Sequence, residues 1–256
     1  MNESRPWWLW PNLLALDAVA VAVTWQVFFA SVGGVAVPVA SVVVLGLAVW
    51  AAYLADRALD ARRGAAPAAR HRIAGRYARV WVWATVLALV LAVLVGLTLP
   101  RTYIRTGLAV SAVALGYFAL VHVVRSHRLL GRGVKEASVG LVFAAGAVLP
   151  LLAEGHAAAE WLPGAFAFAA LCWLNCLLIS RWEEEHGRGP PVWLVVTVGA
   201  GAAGAALGAP GTVAGAVWVS TAALAGLHAV PGLSVRAARV LADVVLLSPL
   251  LVAVWT

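Results

Sequence analysis

The sequence is short of charge. Only 11% of its 256 residues are Asp, Glu, Lys or Arg, against about a quarter in a typical soluble domain. So few charged side chains cannot coat a water-facing surface for a chain of this length, which excludes an ordinary soluble globular fold. Disorder is excluded as well. A disordered chain needs low hydrophobicity, and 63% of this one is hydrophobic. Cysteine is almost missing. Cys172 and Cys176 are the two present; they stand four apart in one apolar run, share a helix face and imply no disulfide framework. Buried, inert thiols are the ordinary state of such residues. The N-terminal MNESRPWWLWPN has no basic region before its apolar stretch, so it does not read as a cleaved signal peptide. The apolar runs do not alternate with polar residues, which disfavours a β-barrel. An all-α, polytopic membrane bundle remains.

Long hydrophobic runs are what the chain has in abundance, together with 13 Trp, the residue of interfacial belts. We read nine spans: Trp10 to Ala30, Val35 to Leu54, Arg79 to Leu99, Gly107 to Val124, Ala137 to Ala153, Gly164 to Ser180, Val192 to Leu207, Gly211 to Leu227 and Ala238 to Trp255. At about 20 apolar residues each, these take roughly 180 residues. Short loops are left and a separate soluble domain does not fit, so 1–256 reads as a single integral membrane domain. The seventh and eighth spans are rich in Gly and Ala, which permits close helix packing in lipid.

Charge tests this count. With the N-terminus cytoplasmic, sixteen of the 18 Lys and Arg fall on the inside and only Arg101 and Arg105 outside. That is the positive-inside asymmetry. The net charge of +7 is therefore mostly topology and no sign of nucleic-acid binding. The Arg-rich loop from about Ala55 to Ala78 is either a solvated loop touching anionic membrane lipid or a cap over a site at the membrane face.

Ionisable residues in or beside spans are functional candidates because they are costly there. Of the eleven acids, Asp17, Asp56, Asp60, Glu136, Glu183, Glu184, Glu185 and Asp243 all fall in the cytoplasmic half or at the cytoplasmic face of this topology. Asp56 and Asp60 share a face of a continuing helix and repel each other. A neighbouring Arg (Arg57, Arg62 or Arg63) or a divalent cation compensates them, and Mg²⁺ binds through one or two carboxylates plus substrate phosphates. Glu183, Glu184 and Glu185 close the sixth span with Asn175 about two turns inside. Three Glu oppose the dipole at a helix C-terminus; a solvated charge run is the plain alternative, and we prefer it for Glu185. Arg125, Arg128, Arg132 and Lys135 bracket the start of the fifth span, where Lys and Arg hold phosphate oxygens or simply follow the positive-inside rule. Asp17 and Asp243 lie within the first and last spans and either pair with an Arg, cap a backbone break or enter a site. His122 reads as a packing residue.

Taken together, Tyr53-xx-Asp56-Arg57-xx-Asp60, Lys135-Glu136 leading into Gly146-Ala-Val-Leu-Pro150, Asn175 followed by Trp182-Glu183, and Arg239-Val-Leu-Ala-Asp243 resemble a divergent branch of the UbiA superfamily of intramembrane prenyltransferases. The resemblance covers most of the chain. It implies a helical bundle with a central cavity, two acidic motifs holding Mg²⁺ and an isoprenyl diphosphate at the cytoplasmic end, and transfer of the isoprenyl group to a lipophilic aromatic or quinone-type acceptor. Asp56, Asp60, Glu183 and Glu184 become the metal ligands, with Asn175 joining them as a catalytic residue. Tyr53, Arg57, Arg128, Lys135, Asp17 and Asp243 become the substrate-binding residues. The family's first motif, Asn-Asp-x-x-Asp-x-x-x-Asp, has Ala52 and Tyr53 in its first two places here, and its second, Asp-x-x-x-Asp, is replaced by a run of Glu. Two other functions fit the same residues: a UbiA-type terpene cyclase, and a non-catalytic lipid-binding membrane protein on the same scaffold. A transporter fits less well, because the polar residues gather at one face instead of reaching the midplane.

Overall fold

The computed structural model describes residues 7–62, 78–122, 133–184 and 190–252. Among the described residues every regular element is helical and no strand occurs. The α-helices are α1 (Trp10–Leu13), α2 (Leu16–Val32), α3 (Val39–Arg62), α4 (Ala78–Gly96), α5 (Arg101–His122), α6 (Val134–Ala147), α7 (Leu149–Ala153), α8 (Ala158–Glu184), α9 (Val192–Ala206), α10 (Gly211–Ala229), α11 (Val235–Val245) and α12 (Pro249–Val252). Helix falls on each of the nine expected apolar stretches. Four helices are long and apolar enough to cross a membrane: α3, α4, α8 and α10, over Val39–Leu59, Arg79–Gly96, Ala158–Glu183 and Gly211–Ala229. The helices α2 and α9 are apolar but shorter.

Local chemistry sets the helix ends. Gly34 has φ +69°, the left-handed value that costs glycine nothing. Val35 N then donates to Ala30 O (2.8 Å) and Gly34 N to Ser31 O (3.1 Å), which closes α2 in a Schellman motif. The same pair of bonds, His156 N to Leu151 O and Gly155 N to Leu152 O, with Gly155 at φ +78°, closes α7. Pro191 and Pro210 precede α9 and α10, where a missing N–H is harmless. Ser234 caps α11 by accepting from Ala237 N at 3.2 Å, the usual role of an N-cap hydroxyl.

The chain divides into two compact units, Met1–Val23 with Pro38–Leu99, and Thr24–Val37 with Pro100–Thr256. In the first unit α3 and α4 pack side by side. A Cβ placed on Gly96, the last residue of α4, would lie 3.9 Å from Val44 near the start of α3, so the two helices run antiparallel. Only 11% of the apolar window of α4 is buried, and Trp83, Leu87, Val93 and Leu94 stand exposed along it. Water would penalise such a surface; hydrocarbon does not.

The second unit is built around α8, which packs against α6, α9, α10 and α11 and has 61% of its apolar window buried. Its Phe168 stacks on Trp25 with ring centroids 4.2 Å apart, and Phe29 meets both rings. Close approach to α6 depends on Gly140, where an added Cβ would stand 2.3 Å from Ala169 O.

Three of the expected spans are broken: the first, Trp10 to Ala30, between α1 and α2, and two more at prolines, where the breaks are chemically closed. The fifth, Ala137 to Ala153, becomes α6 and α7, parted at Val148. Pro150 has no N–H to give Gly146 O, the carbonyl four residues back; buried Gln26 donates to that oxygen from Nε2 at 3.4 Å. The ninth, Ala238 to Trp255, becomes α11 and α12. Pro249 likewise has no N–H for Val245 O, which accepts instead from Ser248 N at 3.3 Å and from Ser220 Oγ at 2.8 Å. Trp25 Nε1 donates to Leu246 O at 2.7 Å, and Ser248 Oγ donates to Ala216 O at 2.8 Å. Backbone freed by a proline needs such partners wherever water cannot serve.

Candidate functional site

In the first unit the expected residues lie on α3 and at the start of α2. The unbroken run of α3 to Arg62 puts Asp56 and Asp60 one turn apart on the same face, as their spacing predicts. Asp56 and Tyr53 are half-buried; the side chain of Asp60 lies outside the described residues. Arg57 is only 6% exposed, and its guanidinium turns to the end of α1: Nη2 donates to Asn12 O at 2.7 Å and Nη1 to Leu13 O. Two turns earlier on the same helix face, Trp50 Nε1 donates to Leu14 O at 2.9 Å. These three carbonyls end a helix that stops at Ala15, whose φ of +58° is uncommon for a residue with a side chain. Asp17 sits in the same break. Its Oδ1 accepts from Ala18 N at 2.8 Å, and Asn12 Nδ2 donates to its Oδ2. Of the alternatives open for Asp17, the geometry is that of a cap.

In the second unit, α8 and α11 present a layer of polar side chains to each other. Asn175 Nδ2 donates to Asp243 Oδ1 at 3.0 Å, and Arg239 Nη1 stands 3.0 Å from Glu183 Oε1. Asn175 precedes Glu183 on α8, whereas Asp243 follows Arg239 on α11, so the two helices run antiparallel along this layer. A carboxylate only accepts hydrogen bonds, so the Asn175 amide must turn its nitrogen to Asp243 and its oxygen away. That oxygen is buried with no hydrogen-bond partner among the described residues, on a side chain only 6% exposed. An orphaned acceptor costs about 1–3 kcal/mol, and it marks Asn175 as a place where a donor on a ligand would be welcome.

Lys135 and Glu136 open α6, and both lie, with Asp243, within electrostatic reach of the Cys176 thiol. Lys135 is exposed, and Tyr117 OH donates to its carbonyl at 3.0 Å. Cys172 and Cys176 are free thiols on α8, as their spacing predicts. Arg128, expected at the diphosphate, lies outside the described residues, as does the side chain of Glu184. Among the described residues no group of three His, Cys, Asp or Glu gathers to hold a metal ion.

Sequence reasoning counted Arg239 among the cytoplasmic basic residues and inside a family motif, and assigned it no role at the site. The one signal available was its spacing of four from Asp243, which puts both on one face of α11. A second titratable cluster lies away from this layer. Tyr103 is buried at the start of α5; burial chiefly, and then the nearby Glu154 carboxylate, raise its pKa above the usual 10.0. In the turn that follows Glu154, His156 Nδ1 and Glu160 Oε2 stand 2.7 Å apart.

No family model, no curated protein and no solved structure matches the chain.

Proposed function

We propose that this chain is an integral membrane prenyltransferase of the UbiA type, with nine spans and a cytoplasmic N-terminus. It moves an isoprenyl group from an isoprenyl diphosphate to a lipophilic aromatic or quinone-type acceptor at the cytoplasmic face. The observation that carries this reading is the polar layer on α8. The most buried of the membrane-length helices carries Asn175 and Glu183, each engaged with a charged side chain of α11. Polar and ionisable groups at such depth are expensive and mark sites of function.

Asp56 and Asp60, one turn apart in the backbone of α3, would hold Mg²⁺, since this ion is held by one or two carboxylates together with substrate phosphates. When bound, it supplies positive charge that stabilises a departing diphosphate. The chain's own residues do the rest. Lys135, with Arg128 from the same basic stretch, neutralises phosphate oxygens. Apolar walls take the isoprenyl tail. Cleavage of the allylic C–O bond sends its electron pair to the diphosphate and leaves a carbocation, which the acceptor captures with loss of a proton. Asn175 orients the acceptor through its buried amide oxygen, while Asp243 holds the amide in place.

A specific observation favours a second reading, a non-catalytic lipid-binding protein on the same scaffold: Glu183 and Asp243 are already engaged with partners of the chain itself. One experiment separates the two. A ligand that binds only the folded state raises the melting temperature by mass action. Geranylgeranyl diphosphate should stabilise the detergent-purified protein in the presence of Mg²⁺ and fail to do so in Asp56→Asn/Asp60→Asn. No stabilisation of the wild-type protein by this or shorter diphosphates would sink the enzymatic reading.

A further inference from the structure

From Pro190 to Leu227 the chain carries no charged residue and no histidine. The stretch folds as a hairpin of α9 and α10 joined at residues 207–210. Val192, Trp193, Val196 and Leu207 stand exposed along α9, an outward strip that suits hydrocarbon. Both ends of the strip are polar through their backbone. In the turn, Leu207 N, Gly208 N and Ala209 N donate to Gly204 O, Ala205 O and Ala206 O. The carbonyls of Leu207, Gly208 and Ala209 accept no backbone hydrogen bond among the described residues, and no side chain caps the start of α10. Such groups require water or a headgroup, which sets the turn at the edge of the hydrocarbon. At the other end α9 begins after Pro190 and Pro191, again with no side-chain cap, and Trp193 is the residue type of the membrane interface.

The distance between these ends is short. The 15 residues of α9 and Leu207 together span about 24 Å at a rise of about 1.5 Å per residue. In α10 the charge-free run from Gly211 ends before His228, after about 26 Å on the same rise. A typical hydrocarbon core is about 30 Å thick. A helix that is too long can tilt, but tilting shortens the reach of one that is already short. Snorkelling is closed as well, because the stretch has no Lys or Arg. We propose that the bilayer thins beside the α9–α10 hairpin to about 24–26 Å, and that this face takes phospholipids with short acyl chains in preference to long ones. The assignment rests on the integral-membrane reading and on none of the prenyl chemistry. A short-chain lipid meets both polar ends of α9 without compression. A long-chain lipid must compress, or it draws open carbonyls into hydrocarbon.

The test uses the full chain reconstituted in phosphatidylcholine bilayers with myristoleoyl, oleoyl or erucoyl chains, in order of increasing length. A nitroxide on Val192→Cys, Val196→Cys or Leu207→Cys, in a Cys172→Ala/Cys176→Ala background, reports its depth by its relative access to oxygen and to a water-soluble nickel chelate. The nitroxides at 192 and 207 should lie at headgroup depth in all three bilayers, and the one at 196 in hydrocarbon. A second measurement needs no change to the native thiols. Brominated lipids quench tryptophan on contact, and the share of quenching lost in Trp193→Phe belongs to α9. By that share, myristoleoyl lipid should bind roughly 3- to 10-fold more tightly than erucoyl lipid, since mismatch is costly for every Å.

Equal affinities for short and long chains would overturn the assignment. So would a nitroxide at 192 or 207 drawn into hydrocarbon in the erucoyl bilayer, because the helix would then yield to the lipid. Shielding of the nitroxide at 196 from both reagents would show a second copy of the chain on α9 and overturn it too. If the thiol-free background does not fold, the tryptophan measurement decides alone: a short-chain preference supports the assignment and equal affinities overturn it. Free access of the nickel chelate to all three positions refutes the integral-membrane reading itself, and this assignment with it.

Discussion

Gly140 offers a sharp steric test of the α6–α8 contact. A Cβ added there would stand 2.3 Å from Ala169 O and 3.2 Å from Trp173 N, both backbone atoms of α8. Ordinary van der Waals contact begins at 3.4 Å, so the helices would have to part by about 1 Å. A radial gap of that size forfeits a quarter to a half of the dispersion energy of the atoms facing it. Overpacking of this kind costs about 1–3 kcal/mol, and here the loss is shared along the α6–α8 seam. Gly33 is the control. Its added Cβ would meet Leu151 Cδ2 at a similar 2.4 Å, but that atom is the end of a side chain that can change rotamer. Gly201 is the second control, with nothing within 4 Å; Ala there should be neutral or stabilising by about 0.5–1 kcal/mol, because it relieves glycine's entropy cost in a helix. Unfolding of the three Gly→Ala variants in mixed detergent micelles should rank Gly140 far below Gly33, and Gly33 below Gly201. A Gly140→Ala protein as stable as Gly201→Ala would refute the close approach of α6 to α8.

Other consequences follow from the same geometry. Gln26→Leu removes the donor to Gly146 O and should destabilise the protein by about 1–3 kcal/mol in the same unfolding assay, the cost of orphaning a buried carbonyl; an unchanged midpoint would show that the Pro150 break is closed by something else. Arg57→Ala should cost on the order of 2–4 kcal/mol, because Asn12 O and Leu13 O lose charge-assisted donors; a residue that served only a diphosphate would leave the stability of the ligand-free protein unchanged. Tyr103 has its pKa raised above 10.0 by burial and by Glu154, so the folded state holds the phenolic proton to higher pH than the unfolded state does. Its contribution to stability is complete below pH 10 and is lost as pH rises from there through the folded value. Absorbance titration should place the Tyr103 phenolate transition above that of free tyrosine, and Glu154→Gln should move it down.

The helices were legible because hydropathy reads one residue at a time. Among the described residues helix falls on each of the nine apolar runs, and a backbone in hydrocarbon must satisfy its own hydrogen bonds. The breaks were less legible. Pro150 and Pro249 stand in plain view, yet the expected spans ran through both, because a proline alone does not say whether a helix kinks or stops. What decides is a partner for the freed carbonyl. Those partners, Gln26 for Gly146 and Ser220 for Val245, lie 120 and 25 residues away. No periodicity connects such pairs.

Arginine shows the same limit at the candidate site. Arg57 and Arg239 read alike in the sequence: each follows the positive-inside rule and each has aspartate close by, Arg57 between Asp56 and Asp60 and Arg239 four residues before Asp243. The structure gives them different chemistry. Arg57 spends its guanidinium on two backbone carbonyls, which are partial charges fixed by a helix end, and this is a fastening of α1 to α3. Arg239 meets a full carboxylate on α8, which is exchangeable in principle for another anion. An anion that drew Arg57 away from these carbonyls would unfasten a helix end. The Glu183 carboxylate draws the Arg239 charge towards α8. Loss of Arg57 therefore falls first on the seating of α1 against α3, and loss of Arg239 on the α8–α11 seam. Unfolding of Arg57→Lys should show a loss of stability, because one ammonium does not reach both Asn12 O and Leu13 O as the guanidinium fork does; an unchanged midpoint would refute this fastening of α1 to α3.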